Sequence, residues 1–108
     1  MTRALFVCSQ NKLRSPTAEQ VFSTWPGVET CSAGLNNDAV TPLSSDLIEW
    51  ADLIFVMETN HKNKLSKKFR PFIKNKKVII LGIPDEFDFM DQNLVNLLIA
   101  HAGPWLKP

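Results

Sequence analysis

The sequence predicts an α/β fold: a three-layer sandwich in which a four-stranded parallel sheet, in the order 2-1-3-4, carries helices on both faces. Three observations point to it. Four short strand-like stretches recur at residues 4–7, 28–33, 53–57 and 77–81, three of them apolar runs rich in β-branched or aromatic residues. Stretches with apolar residues at helical spacing alternate with these runs, as when crossover helices join parallel strands. The third run, Leu53-Ile54-Phe55-Val56-Met57, is apolar without a break, as befits a central strand covered on both faces.

Taken in order, the first strand, 4–7, leads through polar residues to Ser15-Pro16, which reads as a helix start with a hydroxyl cap and proline at the first helical position. That helix should run to about Trp25 with Ala18, Val21, Phe22 and Trp25 inward, and Pro26-Gly27 ends it. The second strand closes at Gly34, where a turn is needed. Within it, Cys31 reads either as a small residue packed beside the sheet or as a redox partner for Cys8. Thr41-Pro42 or the serines after it start a helix to Trp50, with Leu43, Leu47, Ile48 and Ala51 inward. Thr59 or Asn60 caps a third helix reaching Phe69, with Leu65, Phe69 and Phe72 as its buried face. After the fourth strand, Asp91 caps a last helix over 94–101, at whose end His101 lies.

At 108 residues the chain is long enough for one core between layers and too short for a separate substrate domain. A net charge of +1 gives no reason to expect a nucleic-acid partner. Two cysteines supply no disulfide framework, and a reactive thiol persists best in a reducing compartment. The brief apolar run near the start has the length of neither a secretory signal nor a spanning helix, so a cytoplasmic protein without membrane association is expected. The two histidines are far apart and no metal-ligand spacing accompanies them, so neither metal nor cofactor is expected. Eight of the twelve basic residues crowd between Lys62 and Lys77, reading as a solvated helix face or as a patch for an acidic partner.

The chemistry is concentrated in the loop from Cys8 to Arg14. A loop that runs from a buried strand into a helix amino end turns successive N–H groups inward and adds the positive end of the helix dipole, making an anion cradle. Such donors and a guanidinium favour the thiolate form of a cysteine placed among them. Arg14 adds a planar fork that matches two oxygens of a phosphate-like group. The expected cradle comprises Ser9, Gln10, Asn11, Lys12, Leu13 and Arg14 beneath which Cys8 is held, with Asn11 suited to a left-handed bend and Ser15 able to donate toward the sulfur. Beyond the fourth strand lies an acidic cluster, Asp85, Glu86, Asp88 and Asp91. Carboxyl ends of parallel strands share one side of a sheet, so an acid from this cluster can reach the loop.

Val7-Cys8-x-x-Asn11-x-x-Arg14-Ser15-Pro16-x-Ala18-Glu19 resembles the active-site signature of the low-molecular-weight protein tyrosine phosphatases, a family related to thioredoxin-linked arsenate reductases. The resemblance continues in Ser32-Ala33-Gly34, in residues 50–57, in His61 and in Ile83-Pro84-Asp85. It implies one phosphatase-like domain over 1–108 and hydrolysis of a phosphate monoester, on a phosphorylated protein or a small molecule. By that resemblance Cys8 is the nucleophile, Arg14 the phosphate binder and Asp85 the general acid and base, with Asp88 the local alternative. Gln10 stands where the family has glycine, and Leu13 where it commonly has a second cysteine. Only six residues separate Gly34 from Thr41, fewer than is usual in the family, which implies an open cleft. The competing readings are a phosphate-binding regulatory domain with little turnover and an arsenate reductase-like thiol enzyme; the oligomeric state is open.

Overall fold

Side chains alternate across a strand, and the first strand uses both sides. Ala4, Phe6 and Cys8 join one buried cluster, Leu5 and Val7 another. The computed structural model describes residues 1–107. Along them run β1 (Thr2–Cys8), α1 (Arg14–Phe22), β2 (Val28–Gly34), α2 (Ser45–Trp50), β3 (Leu53–Val56), α3 (Thr59–Ile73), β4 (Lys77–Ile80) and α4 (Gln92–Leu106). All strand pairs are parallel and the order is β2-β1-β3-β4, with Phe6 opposite Ser32 on one side and Phe55 on the other. The expected sheet and its order are therefore those observed.

The two clusters form the outer seams of three layers. On the Phe6 face, α1 contributes Ala18 and Phe22, and α4 contributes Leu94, Leu98, Ala102 and Leu106. Phe22, Phe6 and Phe55 stack there at centroid distances of 5.6 and 5.1 Å. On the other face Ile48 of α2 and Leu65 of α3 pack against Leu5, Val7, Ile54 and Val56.

Several element limits depart from the sequence reading. The first helix begins at Arg14 and ends at Phe22, its cap position being Leu13 with no side-chain bond. Ser15 is inside the helix rather than its cap, because its hydroxyl is taken up by Cys8 and Asn11. Glu58, not Thr59 or Asn60, occupies the cap position of α3, where its N–H donates to His61 Nδ1 over 3.1 Å. That helix kinks at Phe69 ahead of Pro71, and the kink leaves Phe72 exposed rather than buried. Ser44 and Asp91 cap α2 and α4 through their side chains. The last helix runs on to Leu106, past Pro104, so His101 lies within it and its Nδ1 is 2.7 Å from the Leu81 carbonyl.

In this order β1 and β3 are the adjacent central strands, and their crossovers lead to opposite edges. The segments leaving their carboxyl ends diverge and open a crevice. Residues 8–14 and 57–61 border it. No helix among the described residues is long and apolar enough to cross a membrane.

Candidate active site

The loop after β1 is held from outside by its carbonyls. Leu35 N–H donates to Cys8 O (2.9 Å), Asn36 N–H to Ser9 O (3.0 Å) and Val40 N–H to Gln10 O (3.1 Å). The short connection after β2 is thus a brace for the loop. Gly34 makes the close approach possible: a Cβ there would lie 2.5 Å from Ala39 Cβ and 2.6 Å from Ser9 O. With the Cys8, Ser9 and Gln10 carbonyls so engaged, the N–H groups of the loop are free to serve its concave side. The loop borders a cavity of about 110 Å³ lined by Cys8, Ser9, Gln10, Lys12, Leu13, Arg14 and Asp85.

Inside the loop, Asn11 takes the left-handed conformation at φ 57°, which an Asn side chain tolerates better than most. Its N–H points at Cys8 Sγ over 3.3 Å, and its Oδ1 accepts from the Ser15 hydroxyl over 2.8 Å. Ser15 Oγ is also 2.9 Å from Cys8 Sγ. A protonated Cys8 donates into this chain; an ionised one can receive the Ser15 hydrogen instead. Gln10 keeps an ordinary negative φ, since Asn11 and Met90 are the non-glycine residues with positive φ among those described. A side chain at the glycine position of the resembled signature therefore meets no backbone penalty here.

Arg14 is buried and anchored at one nitrogen. Nη1 donates to Glu58 Oε2 (2.7 Å) and to the Ile83 carbonyl (2.8 Å), which uses both its hydrogens. Nη2 and Nε are left for the cavity, and Nε lies 3.9 Å from Asp85 Oδ1. The hydrogen bond from Arg14 holds the Glu58 carboxyl below its usual range, so the anchor is an ion pair at neutral pH.

His61 braces the other end of the loop. It is fully buried, and because Nδ1 accepts the Glu58 N–H, the proton resides on Nε2, which donates to Ser9 Oγ over 3.0 Å. Burial, aided by the nearby Arg14 charge and opposed by Glu58, pushes its pKa down to about 4, so the ring is neutral at pH 7. The four residues from Glu58 to His61 thereby secure both Arg14 and Ser9. Sequence reasoning assigned no role to Glu58 and none to His61. The available signal was the spacing Glu58-x-x-His61 directly after an apolar strand, a variant of the capping box.

Of the anticipated site residues, Cys8, Ser9, Gln10, Lys12, Leu13, Arg14 and Asp85 line one cavity, and Asn11 and Ser15 touch the sulfur from behind. Asp85 is well exposed, between Ile83, whose N–H donates to Met57 O, and Met90, whose N–H donates to Thr17 Oγ1. Asp88 does not line the cavity; its carbonyl accepts from Asp91 N–H. Phe87 packs on the Phe6-side core, and Phe89 is exposed beside Pro16 and Glu19, so neither lines the cavity mouth. Cys31 opens on a separate groove of about 550 Å³ alongside Lys12, Glu19 and Val40. Burial, with Glu19 and Glu29 nearby, raises its pKa and keeps the thiol protonated, the opposite of what a resolving thiolate needs.

No family model and no curated protein matches this chain. Solved structures do. An arginine phosphatase, YwlE of Geobacillus stearothermophilus, superposes with a TM-score of 0.77 at 23% identity, over 97% of this chain and 93% of that one. Wzb of Vibrio vulnificus, solved with benzylphosphonate, gives 0.78 at 23% identity over 96% of each chain. A low-molecular-weight protein tyrosine phosphatase of Streptococcus pyogenes gives 0.79 at 17% identity, over 98% of this chain and 91% of that one. Likeness of this extent at such low identity establishes architecture: the chain has the fold of the low-molecular-weight protein tyrosine phosphatases.

Proposed function

We propose that this protein is a cysteine-dependent phosphatase that hydrolyses phosphate monoesters, with phosphotyrosine as the leading substrate. The observation that carries the reading is one cavity of about 110 Å³ bordered by a cysteine, the loop that follows it, an anchored arginine and a carboxylic acid. Its size suits one tetrahedral oxyanion. The similar structures include a tyrosine phosphatase and an arginine phosphatase, which supports a phosphoryl group on a protein side chain as the substrate.

In the first step Cys8 Sγ attacks phosphorus in line, forming the S–P bond as the P–O bond to the leaving group breaks. Asp85 gives its proton to the departing oxygen. The loop N–H groups from Ser9 to Arg14, with Arg14 Nη2 and Nε, take the equatorial oxygens as charge redistributes. In the second step Asp85, now a carboxylate, removes a proton from water as that water attacks phosphorus. Cys8 leaves as a thiolate that Asn11 N–H and Ser15 Oγ–H stabilise, and inorganic phosphate departs. Glu58 and His61 position the parts without touching the phosphate.

The test is rapid quench with a ³²P-labelled aryl phosphate. Label should appear on Cys8 within the first turnover of the native chain, and Cys8→Ser should lose turnover while still binding phosphate or vanadate. Label on Cys31, or undiminished turnover of Cys8→Ser, would overturn the assignment. A phosphoarginine peptide in the same assay tells ester from phosphoramidate preference. Tight phosphate binding with no turnover of any substrate would mark a regulatory binding domain.

A further inference from the structure

Charge is distributed unevenly along this chain. Residues 59–84 contain eight lysines and arginines and no aspartate or glutamate, so they carry +8, while the remainder carries −7. The near-neutral total conceals a dipolar molecule. Among the described residues none of the eight cations is within ion-pair distance of a carboxylate.

Three of the eight have internal work. Lys76 Nζ donates to the Glu49 and Ala51 carbonyls, Lys77 sits 4.7 Å from the Trp105 ring centroid, and Lys68 Nζ donates to Leu35 O and Asn37 Oδ1. Lys62, Lys64, Lys67, Arg70 and Lys74 have no such role and are exposed. Lys64 and Lys67, with Lys68, form one flank of α3 and line a surface cavity of about 380 Å³ against Leu35, Asn36 and Asn37.

This cavity adjoins the catalytic loop. Its far wall is the segment whose N–H groups at Leu35 and Asn36 hold the Cys8 and Ser9 carbonyls. Its near wall starts one helical turn beyond His61, whose Nε2 bonds Ser9. Lys64 and Lys67 follow His61 by three and six residues, roughly 4.5 and 9 Å along the helix axis.

We infer that this basic cavity binds acidic side chains of a phosphoprotein substrate, adjacent in its sequence to the phosphorylated residue. The inference rests on the phosphatase reading and adds to it the class of substrate. An extended polypeptide advances about 3.3 Å per residue, so the carboxylates that Lys64 and Lys67 select are ones close in sequence to the phosphorylated side chain. A nucleic acid fits less well, since no aromatic side chain lines the cavity to stack a base. A membrane surface fits less well too, since the cavity is concave and its one apolar side chain, Leu35, is buried and cannot insert.

The experiment compares two phosphotyrosine peptides of equal length, one with glutamates flanking the phosphorylated residue and one with glutamines there. At low salt the native chain should show kcat/KM about tenfold higher on the acidic peptide, and the preference should fade toward unity at about 0.5 M salt. Lys64→Glu/Lys67→Glu should abolish or reverse the preference while kcat/KM on phenyl phosphate stays within about twofold. Lys64→Gln/Lys67→Gln should give an intermediate result at an unchanged Tm. Equal rates on both peptides, or a preference that survives charge reversal, would overturn the inference. Binding of a single-stranded oligonucleotide or phosphatidylserine vesicles, lost on charge reversal and without peptide discrimination, would overturn it in favour of that ligand. Should the native chain hydrolyse no aryl phosphate, peptide binding to Cys8→Ser by fluorescence anisotropy separates the two failures. A preference for the acidic peptide there sustains the surface, and none refutes it.

Discussion

The cysteine loop and the Asp85 segment face each other across one small cavity, but they are held in different ways. The loop is fixed from three sides: by N–H donors of residues 35–40 on its carbonyls, by Asn11 and Ser15 behind the sulfur, and by Glu58 and His61 on Arg14 and Ser9. The Asp85 segment has backbone anchors at Ile83 and Met90 and an exposed side chain at 3.9 Å from Arg14 between them. The anion cradle must present donors in fixed directions before charge develops, because reorganising them during reaction would cost what they are meant to supply. An acid that delivers one proton to leaving groups of different shape can tolerate a looser seat. On the proposed mechanism, rigidity is concentrated where geometry is shared by every substrate.

The largest effect tests the loose half. Asp85→Asn should lower kcat on phenyl phosphate by about 10²–10⁴-fold, the range for a lost general acid, and much less on an aryl phosphate whose oxygen leaves without a proton. Tm should stay within a degree or so, because the side chain is largely outside the packed structure. Equal losses on the two substrates, or a marked fall in Tm, would show that Asp85 serves the fold rather than proton transfer.

Next in size is a change in the rigid half. Arg14→Lys keeps the charge and loses the planar fork, so kcat/KM should fall roughly 10- to 100-fold on both substrates alike. Unlike the Asp85 variant it should also be less stable, since a lysine cannot serve Glu58, Ile83 O and the cavity together. Leaving a buried partner unsatisfied costs about 1–3 kcal/mol. Steady-state kinetics beside thermal unfolding would measure both, and activity near that of the native chain would remove Arg14 from the phosphate site.

A smaller effect probes the brace. Gly34→Ala introduces a Cβ into space filled by Ala39 Cβ and Ser9 O, and the overpacking should cost about 1–3 kcal/mol. Since Ser9 and Asn11 belong to the loop, phosphate affinity should weaken in the same variant. Unchanged stability and affinity would mean that the loop keeps its shape without the 35–40 segment.

The contrast between the halves also explains what the sequence disclosed. The strands were legible because burial on both faces leaves an unbroken apolar run, as at Leu53–Val56. Residues 8–15 were legible as one unit because they are contiguous and the strand–loop–helix geometry that gathers them is local. The Asp91 cap was legible for the same reason. Partners distant in sequence were not. Glu58 meets Arg14 across 44 residues and His61 meets Ser9 across 52; Glu58 looked like an ordinary residue at a strand exit, and His61 entered through the family resemblance without a role. Ser15 misled because its local signal, a hydroxyl before proline, is that of a helix cap, while Cys8 and Asn11 claim the hydroxyl. The end of α4 was misplaced because burial of Ala102 and Leu106 carries the helix beyond His101 and through Pro104.

The last effect concerns pH and belongs to the rigid half alone. His61 has its pKa pushed down to about 4, first by burial and then by Arg14. Between that value and the usual 6.5 the unfolded chain binds a proton that the folded chain refuses, so stability falls with acidification across this window and is complete above it. Glu58, held below its usual range by Arg14, adds a loss of the same sign at lower pH, as its carboxylate becomes protonated. Tm should therefore decline from pH 6.5 toward 4. His61→Gln supplies an acceptor and a donor on a side chain that does not titrate, so its Tm should fall less steeply between pH 6.5 and 4.5. The difference should be several degrees, given about 4–8 °C per kcal/mol for a domain of this size. Asp85→Asn should follow the native Tm curve closely over the same interval, because Asp85 is the weakest of the charges acting on His61 and holds no part of the brace. If His61→Gln declined as steeply as the native chain, the acid sensitivity would lie elsewhere, and the buried histidine would not be the titrating part of the loop's support.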